Sequence, residues 1–173
     1  MKPLTRRTLL KSTLAGSAAA ALAPYSRVLG ANDDVRVAVV GFRSQGSNHI
    51  NWFADIPGVR VAALFDVDRS FIDREVAKLK ENNQKVDTYI DVRKLLEDKN
   101  IDAIITATPN HWHSLVTIWA CQAGKDVYVE KPVSHNIWEG RRMVETARKY
   151  SRIVQAGTQN RSDEGLAAAF EYI

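Results

Sequence analysis

Two charged residues of opposite sign follow a short run of strand-forming residues in the second half of the chain. Residues 127–129 (Val-Tyr-Val) favour a β-strand, and Glu130-Lys131-Pro132 comes directly after them. Ligands of open α/β sheets lie at the carboxyl ends of the strands, so an acid and a base leave the strand together where such a sheet would bind its ligand. The competing explanation is a solvated ion pair in a loop.

A glycine-rich turn near the amino-terminal side predicts phosphate binding. Residues 35–40 are rich in valine, Gly41-Phe42-Arg43-Ser44-Gln45-Gly46 follows, and residues 47–55 have a helical pattern. This order of strand, glycine turn and helix is the context of a dinucleotide fingerprint. Arg43 occupies the place of the middle glycine, which normally lets the backbone approach a pyrophosphate. Its side chain must point away from the phosphates or offer them its guanidinium.

An acid at the end of the second predicted strand favours NAD as the dinucleotide. Asp66 follows the strand of residues 59–65, where a carboxylate can accept hydrogen bonds from the ribose hydroxyls of adenosine. A carboxylate there repels a 2′-phosphate, which makes NADP the less favoured cofactor. Asp68 is the alternative acid, and Arg69 could instead accept the phosphate. Asp66 could also be the N-cap of the next helix.

A third polar segment follows the apolar strand predicted over residues 101–106. It reads Thr108-Pro109-Asn110-His111-Trp112-His113, with Asn110 as the expected N-cap of a helix. The two histidines are two residues apart and therefore point to different faces of a helix, so we expect no metal site. Trp112 and Trp119 are seven residues apart, which predicts a stripe facing the core.

The elements that must position these segments alternate between strands and helices along the whole region. Six strands with intervening helices predict an α/β fold with a doubly wound parallel sheet (a Rossmann fold), in the strand order 3-2-1-4-5-6. The Gly41 turn and the Thr108 loop would then line one crevice. The Glu130 turn would lie one strand further along.

Charge and cysteine content narrow the classes of protein. The 173 residues carry a net charge of +4, but residues 1–30 contain five basic residues and no acid, so the remainder is nearly neutral and predicts no nucleic-acid partner. Residues 5–11 (Thr-Arg-Arg-Thr-Leu-Leu-Lys) with the apolar run after them indicate a twin-arginine signal segment over residues 1–30. This predicts the export machinery as a partner and a periplasmic or otherwise exported location. Cys121, the single cysteine, is expected in the core.

These motifs occur together, in order, in one known family. The Gly41 turn, Thr108-Pro109-Asn110-x-x-His113, Glu130-Lys131-Pro132 with the Ala123-Gly124-Lys125 segment before it, and the Gly157 turn resemble the Gfo/Idh/MocA oxidoreductases over residues 35–170. The resemblance is greatest to an exported, twin-arginine branch. It implies an NAD(P)-binding Rossmann domain over residues 31–162. Residues 163–173 would begin a second α/β domain that holds substrate and drives homo-oligomerisation, and most of that domain is missing from this sequence.

The resemblance also implies a role for each matching residue. The pyrophosphate would be surrounded by Gly41, Phe42, Arg43, Gln45 and Gly46, and the ribose held by Asp66. The middle of the cofactor and the nicotinamide-side ribose would be lined by Thr108, Pro109, Asn110 and His113. Glu130 would contact the nicotinamide end, with Lys131 as the catalytic lysine that binds both cofactor and substrate. Gln159 would face the nicotinamide and Arg161 the substrate.

The implied activity is hydride transfer between the nicotinamide and a sugar or polyol carbon, with Lys131 relaying the proton of the reacting hydroxyl. Two alternatives stay open. One is a glycoside hydrolase or lyase that retains NAD and oxidises its sugar only transiently. The other is a non-catalytic protein that binds nucleotide or sugar. The present chain without its second domain is expected to bind cofactor and to lack activity.

Overall fold

The structure, a computed structural model, describes residues 34–172 and consists of a six-stranded sheet with helices packed on both faces. The predicted signal segment lies outside the described residues. The strands are β1 (Val35–Val40), β2 (Val59–Phe65), β3 (Asp87–Tyr89), β4 (Ala103–Thr106), β5 (Asp126–Glu130) and β6 (Val154–Gly157). The helices are α1 (Gln45–Ala54), α2 (Arg69–Glu81), α3 (Val92–Glu97), α4 (Asn110–Gln122), α5 (Ile137–Lys149) and α6 (Glu164–Tyr172), with a 3-10 helix at Gln159–Ser162.

All strand pairs are parallel, and the order in the sheet is β3-β2-β1-β4-β5-β6. The predicted doubly wound sheet and its strand order are therefore confirmed. The strand order reverses between β1 and β4, which lie side by side: β2 and β3 follow on one side of β1, and β4, β5 and β6 on the other. Ligands of such sheets bind at that switch point, where the loops after the two strands diverge to opposite faces.

Alternation along β1 divides the interior into two cores. Ala38 and Val40 pack into a core formed with α3, α4 and α5, whereas Val37 and Val39 pack against α1 and α2. Successive side chains of a strand point to opposite faces, and a central parallel strand covered on both sides is apolar throughout. Cys121 is fully buried in the first core, as predicted.

The ends of several elements differ from those that the sequence predicts. The prediction of Asn110 as an N-cap was wrong: Pro109 is the N-cap of α4 and Asn110 is its first helical residue. Proline fits there because the N-cap has extended backbone and its missing N–H costs no helical hydrogen bond. Glu130 is the last residue of β5 and pairs with Gly157 of β6, so the sheet itself fixes the position of Glu130.

Within residues 34–172 no helix combines the length and the apolar character needed to cross a membrane.

Candidate functional site

A pocket of about 440 Å³ opens at the carboxyl ends of β1, β2 and β4. Its wall comes from the loops after these strands and from the sides of α3 and α4. The lining residues are Gly41, Arg43, Phe65, Asp66, Val67, Val92, Ala107, Thr108, Pro109, Trp112 and Val116. Five of the predicted cofactor residues lie among them, drawn from three segments of the chain. The pocket occupies the switch point of the sheet.

The glycine turn closes tightly against the start of α1. Gly41 has φ +75°, a left-handed conformation that favours glycine, and its N–H donates to the Phe65 carbonyl at 2.9 Å. A Cβ on Gly46 would lie 2.1 Å from the Gly41 carbonyl oxygen, so no side chain fits at this position. The Ser44 side chain at the N-cap makes no capping hydrogen bond. The first N–H groups of α1 therefore lack a side-chain cap beside the turn, an arrangement that binds anions.

Two predicted residues of this turn direct their side chains elsewhere. The Phe42 side chain is 2% exposed and packs in the core between the sheet, α1 and α2. Gln45, the first residue of α1, accepts a hydrogen bond from the Asn48 side chain. Both residues can therefore meet a ligand through the main chain of the turn.

Asp66 and Arg43 form the polar end of the pocket. Asp66 is 6% exposed, and its Oδ1 accepts the Asp68 N–H at 2.9 Å and lies 3.7 Å from the Arg43 guanidinium. The Arg43 guanidinium donates to Asp68 at 3.0 Å and stacks on the Phe71 ring at 4.0 Å. Arg43 thus turns toward the acids after β2.

The N-cap of α2 is Asp68, whose side chain accepts the Ser70 N–H. Hydrogen bonds from the Ser70 hydroxyl and N–H, with the nearby Arg43 charge, lower the pKa of Asp68 below its usual value. Because Asp68 caps the helix, the alternative explanation of Asp66 as the N-cap was wrong.

The apolar wall of the pocket includes residues that sequence reasoning did not assign to the site. Trp112 is 41% exposed and lines the pocket with Val92 and Val116, so its placement in a core stripe was wrong. A flat indole and two branched aliphatic side chains are suited to the faces of an aromatic base. Trp119, seven residues further along α4, is partly buried and packs against the core.

His113 joins the loops after β4 and β5. The ring is 1% exposed, with Nδ1 2.7 Å from the Pro132 carbonyl oxygen and Nε2 2.8 Å from the Thr108 carbonyl oxygen. Carbonyl oxygens only accept, so a ring nitrogen donates to its carbonyl when it carries the proton. His113 therefore acts on the site through the backbone of two loops. No group of three His, Cys, Asp or Glu residues that could hold a metal ion occurs within residues 34–172.

The Glu130 carboxylate is buried, and both of its oxygens are hydrogen-bonded. Glu130 is 5% exposed. Its Oε1 lies 2.7 Å from His49 Nε2 and also accepts a hydrogen bond from the Gln159 side chain. Its Oε2 accepts the Lys131 N–H at 3.1 Å. Burial, with the negative charge of Glu130 beside it, raises the pKa of the neighbouring Tyr128 hydroxyl. His49 was not among the predicted site residues, although it stands three positions after Gly46 in the predicted helix.

Lys131, Asn110 and Arg161 are exposed at this edge of the sheet. The Lys131–Pro132 peptide bond is cis. The Glu130 carboxylate accepts a hydrogen bond from the backbone N–H of Lys131. Within the part of the chain that the structure describes, no salt bridge involves the Lys131 side-chain amine. A loop ion pair between Glu130 and Lys131 is therefore not formed. The lysine side chain stands at the surface one strand away from the pocket, and His113 links the two places.

Comparison with known proteins is consistent with this architecture. Residues 35–158 match the family described as "Oxidoreductase family, NAD-binding Rossmann fold", whose model is named GFO_IDH_MocA. The chain is 32% identical over 122 residues to a "Glycosyl hydrolase family 109 protein" of Shewanella sp. (strain W3-18-1), and this match covers 68% of the chain and 27% of that relative. The chain thus spans about a quarter of the length of the curated relatives that it matches.

Two solved structures show the same fold with more than a quarter of the aligned residues identical. A probable dehydrogenase from Thermotoga maritima superposes with a TM-score of 0.68 at 30% identity, covering 73% of this chain and 37% of that one. Myo-inositol 2-dehydrogenase from Lactobacillus plantarum superposes with a TM-score of 0.70 at 27% identity, covering 79% of this chain and 40% of that one.

Proposed function

The chain belongs to the Gfo/Idh/MocA oxidoreductase family, whose NAD-binding Rossmann domain it contains, and we propose that the whole protein transfers a hydride between nicotinamide and a hydroxyl-bearing carbon of a sugar or polyol. The observation that carries the proposal is the arrangement at the switch point. An uncapped helix start, a buried aspartate and an apolar slot lie together, with a surface lysine after the next strand.

The residues around the pocket suit a dinucleotide. The α1 N-terminus and the Gly41 turn would hold the pyrophosphate through N–H groups, and Asp66 would accept from the ribose hydroxyls. Trp112 and the two valines beside it would hold the adenine. When bound, the nicotinamide accepts or returns a hydride, and the protein supplies position and electrostatics.

We propose NAD rather than NADP as the dinucleotide. Asp66 is almost fully buried and its carboxylate is only partly offset by Arg43, which is half exposed and shared with Asp68. A phosphate on the 2′-oxygen would bring a second negative charge against a carboxylate that cannot move into solvent. The repulsion favours a ribose with a free 2′-hydroxyl.

Lys131 is the residue that we propose as the proton relay. Its backbone is fixed by Glu130 and Pro132 while its amine is free of salt bridges within residues 34–172, so it can hydrogen-bond the reacting hydroxyl. Asn110, Gln159 and Arg161 lie along the same edge and would contact the nicotinamide side and the substrate. The myo-inositol named for the Lactobacillus plantarum enzyme supports a polyhydroxylated substrate.

A second candidate is a glycoside hydrolase that uses the same hydride chemistry twice. Such an enzyme would oxidise a sugar hydroxyl, release the leaving group by elimination, add water and return the hydride, with no net redox change. The Shewanella relatives named as glycosyl hydrolases support this alternative. Its site would need the same lysine and a cofactor that stays bound.

One experiment tests the common proposal and separates the candidates. The full-length protein would be denatured and its released nucleotide identified by mass spectrometry, then native protein assayed with NAD on myo-inositol and on p-nitrophenyl glycosides. Accumulating NADH indicates the dehydrogenase, whereas nitrophenol release without NADH indicates the hydrolase. Lys131→Met should retain NAD and lose either turnover. A protein that binds neither NAD nor NADP would refute both.

We also propose that the protein is exported by the twin-arginine machinery and that the full-length protein forms a homo-oligomer. The support for export is the Arg6-Arg7 pair ahead of an apolar run. Replacing both arginines by lysine should leave the protein in the cytoplasm, which fractionation would detect. Full processing of that variant would contradict export by this route. Size-exclusion chromatography with light scattering would test the oligomer.

A further inference from the structure

Two buried histidines hold the main chain on either side of Lys131. On its amino side, the Glu130 carboxylate accepts the Lys131 N–H at 3.1 Å and bonds the His49 ring at 2.7 Å. On its carboxyl side, His113 Nδ1 bonds the Pro132 carbonyl at 2.7 Å. Both rings are 1% exposed. The peptide segment that carries the lysine is therefore fixed at both ends by groups that water does not reach.

His49 also belongs to α1, the helix that begins at the glycine turn. It stands three residues after Gly46, on the side of α1 that faces the sheet, and its ring packs edge-on against Tyr128 of β5 at 5.2 Å. His49 and Glu130 are 81 residues apart in the sequence. Their contact is thus a direct polar connection between the helix at the pyrophosphate site and the strand that leads to Lys131.

The two ring nitrogens of His49 differ in their hydrogen bonding. An ionised carboxylate only accepts, so His49 Nε2–H must donate to it. The other ring nitrogen, Nδ1, has no hydrogen-bond partner within the described residues although it is buried. An unpaired buried nitrogen is unfavourable, and an apolar side chain would pack there without it. The bond to Glu130 is what the imidazole contributes at this position.

The space around the carboxylate leaves Glu130 little freedom. A Cβ on Gly157, its neighbour across the strands, would lie 3.1 Å from the Glu130 carboxyl carbon and 3.0 Å from the Tyr128 hydroxyl. β6 and Tyr128 therefore enclose it on one side, and its partners besides His49 are the Gln159 side chain and the Lys131 N–H. A shift of Glu130 on loss of the His49 bond would move the loop that begins at the Lys131 N–H.

We propose that His49 is a positioning residue for the reaction: through Glu130 it fixes the backbone of Lys131, so that the lysine amine meets the substrate in one geometry. This inference rests on the proposed role of Lys131 as proton relay. His49 does not line the cofactor pocket, so its loss should change turnover rather than cofactor affinity. A displacement of about 1 Å at a reacting group lowers the rate by about 100-fold.

Two substitutions in the full-length protein separate this role from packing. In His49→Gln the amide nitrogen is at the ε position, as Nε2 is, and can donate to Glu130. In His49→Asn the amide nitrogen is at the δ position and falls short of it. Both variants are neutral amides, so they differ chiefly in whether the bond to Glu130 can form. Thermal melting would check that each variant folds.

The readouts are kcat and KM on p-nitrophenyl glycosides and myo-inositol, the NAD dissociation constant, and amide hydrogen exchange over residues 130–135. We expect His49→Asn to lower kcat about 10- to 100-fold, to change NAD affinity less than about twofold, and to speed exchange in this loop. His49→Gln should restore kcat to within about threefold of the wild type and keep the exchange slow.

Equal losses of kcat in the two variants, or unchanged kcat in His49→Asn, would overturn the proposal. So would a loss of NAD affinity as large as the loss of kcat. If the wild type turns over none of these probes, the proposed function fails on its own, and hydrogen exchange decides about His49. Faster exchange in His49→Asn but not in His49→Gln then supports the proposal that His49 fixes the loop backbone. Equal exchange in both variants refutes that proposal.

Discussion

Removing the charge of Asp66 should reduce the preference for NAD over NADP. Asp66→Asn keeps the shape of the side chain and an oxygen that can accept the Asp68 N–H. It removes a charge that is both buried and at the polar end of the pocket. Two unit charges 4 Å apart at an effective dielectric constant of 20 interact by about 4 kcal/mol.

The structure lowers this figure because Arg43 lies 3.7 Å from the same carboxylate and offsets part of its charge. We therefore expect about 2 kcal/mol, which is roughly a 30-fold change in the ratio of the NADP and NAD dissociation constants. NAD itself should bind about fivefold more weakly, since a neutral amide accepts a weaker hydrogen bond from the ribose. Titration calorimetry with each dinucleotide measures both quantities.

Asp68→Asn is the matched control, because it removes the same charge two residues away. Asparagine caps a helix as well as aspartate does, so α2 keeps its N-cap. The Asp68 side chain is 40% exposed, and solvent should limit the change in the dinucleotide ratio to less than about threefold. An unchanged ratio in Asp66→Asn, or an equal change in Asp68→Asn, would refute a role of the buried Asp66 charge in selecting NAD.

Three further predictions concern the glycine turn and the stability of the sheet. Gly46→Ala should abolish dinucleotide binding in calorimetry, because its Cβ would lie 2.1 Å from the Gly41 carbonyl oxygen, whereas Gly58→Ala, strained but open, should retain binding. Lys125→Met should lower the free energy of unfolding, measured in urea, by about 2–4 kcal/mol. The buried Lys125 amine donates to two carbonyl oxygens at 2.6 and 2.8 Å, and both would lose their partner. A loss below about 1 kcal/mol would contradict this prediction. Burial and a hydrogen bond to Asp98 raise the pKa of Tyr89 to about 12. The free energy of unfolding should therefore fall as the pH rises from about 10, where the unfolded tyrosine ionises, to about 12. In Tyr89→Phe, urea unfolding should show a smaller fall of this free energy across the same range.

The sequence alone was enough to predict the sheet, its strand order and five of the eleven residues that line the pocket. Apolar runs bounded by glycine or by polar residues report local conformation, and the rule that crossovers in parallel sheets are right-handed leaves few ways to connect six strands. The loops after β1, β2 and β4 then converge without further information. Five of the predicted residues line one pocket for this reason.

What only the tertiary structure decided is which partner or surface each of these side chains meets. Arg43 turns to Asp68, Trp112 faces the pocket instead of the core, and His49 meets Glu130 from 81 residues away. Each of these depends on the rotation of a helix about its axis and on its distance from a neighbouring element. Local sequence patterns do not encode those quantities, because they follow from how all the side chains of two packed layers fit together.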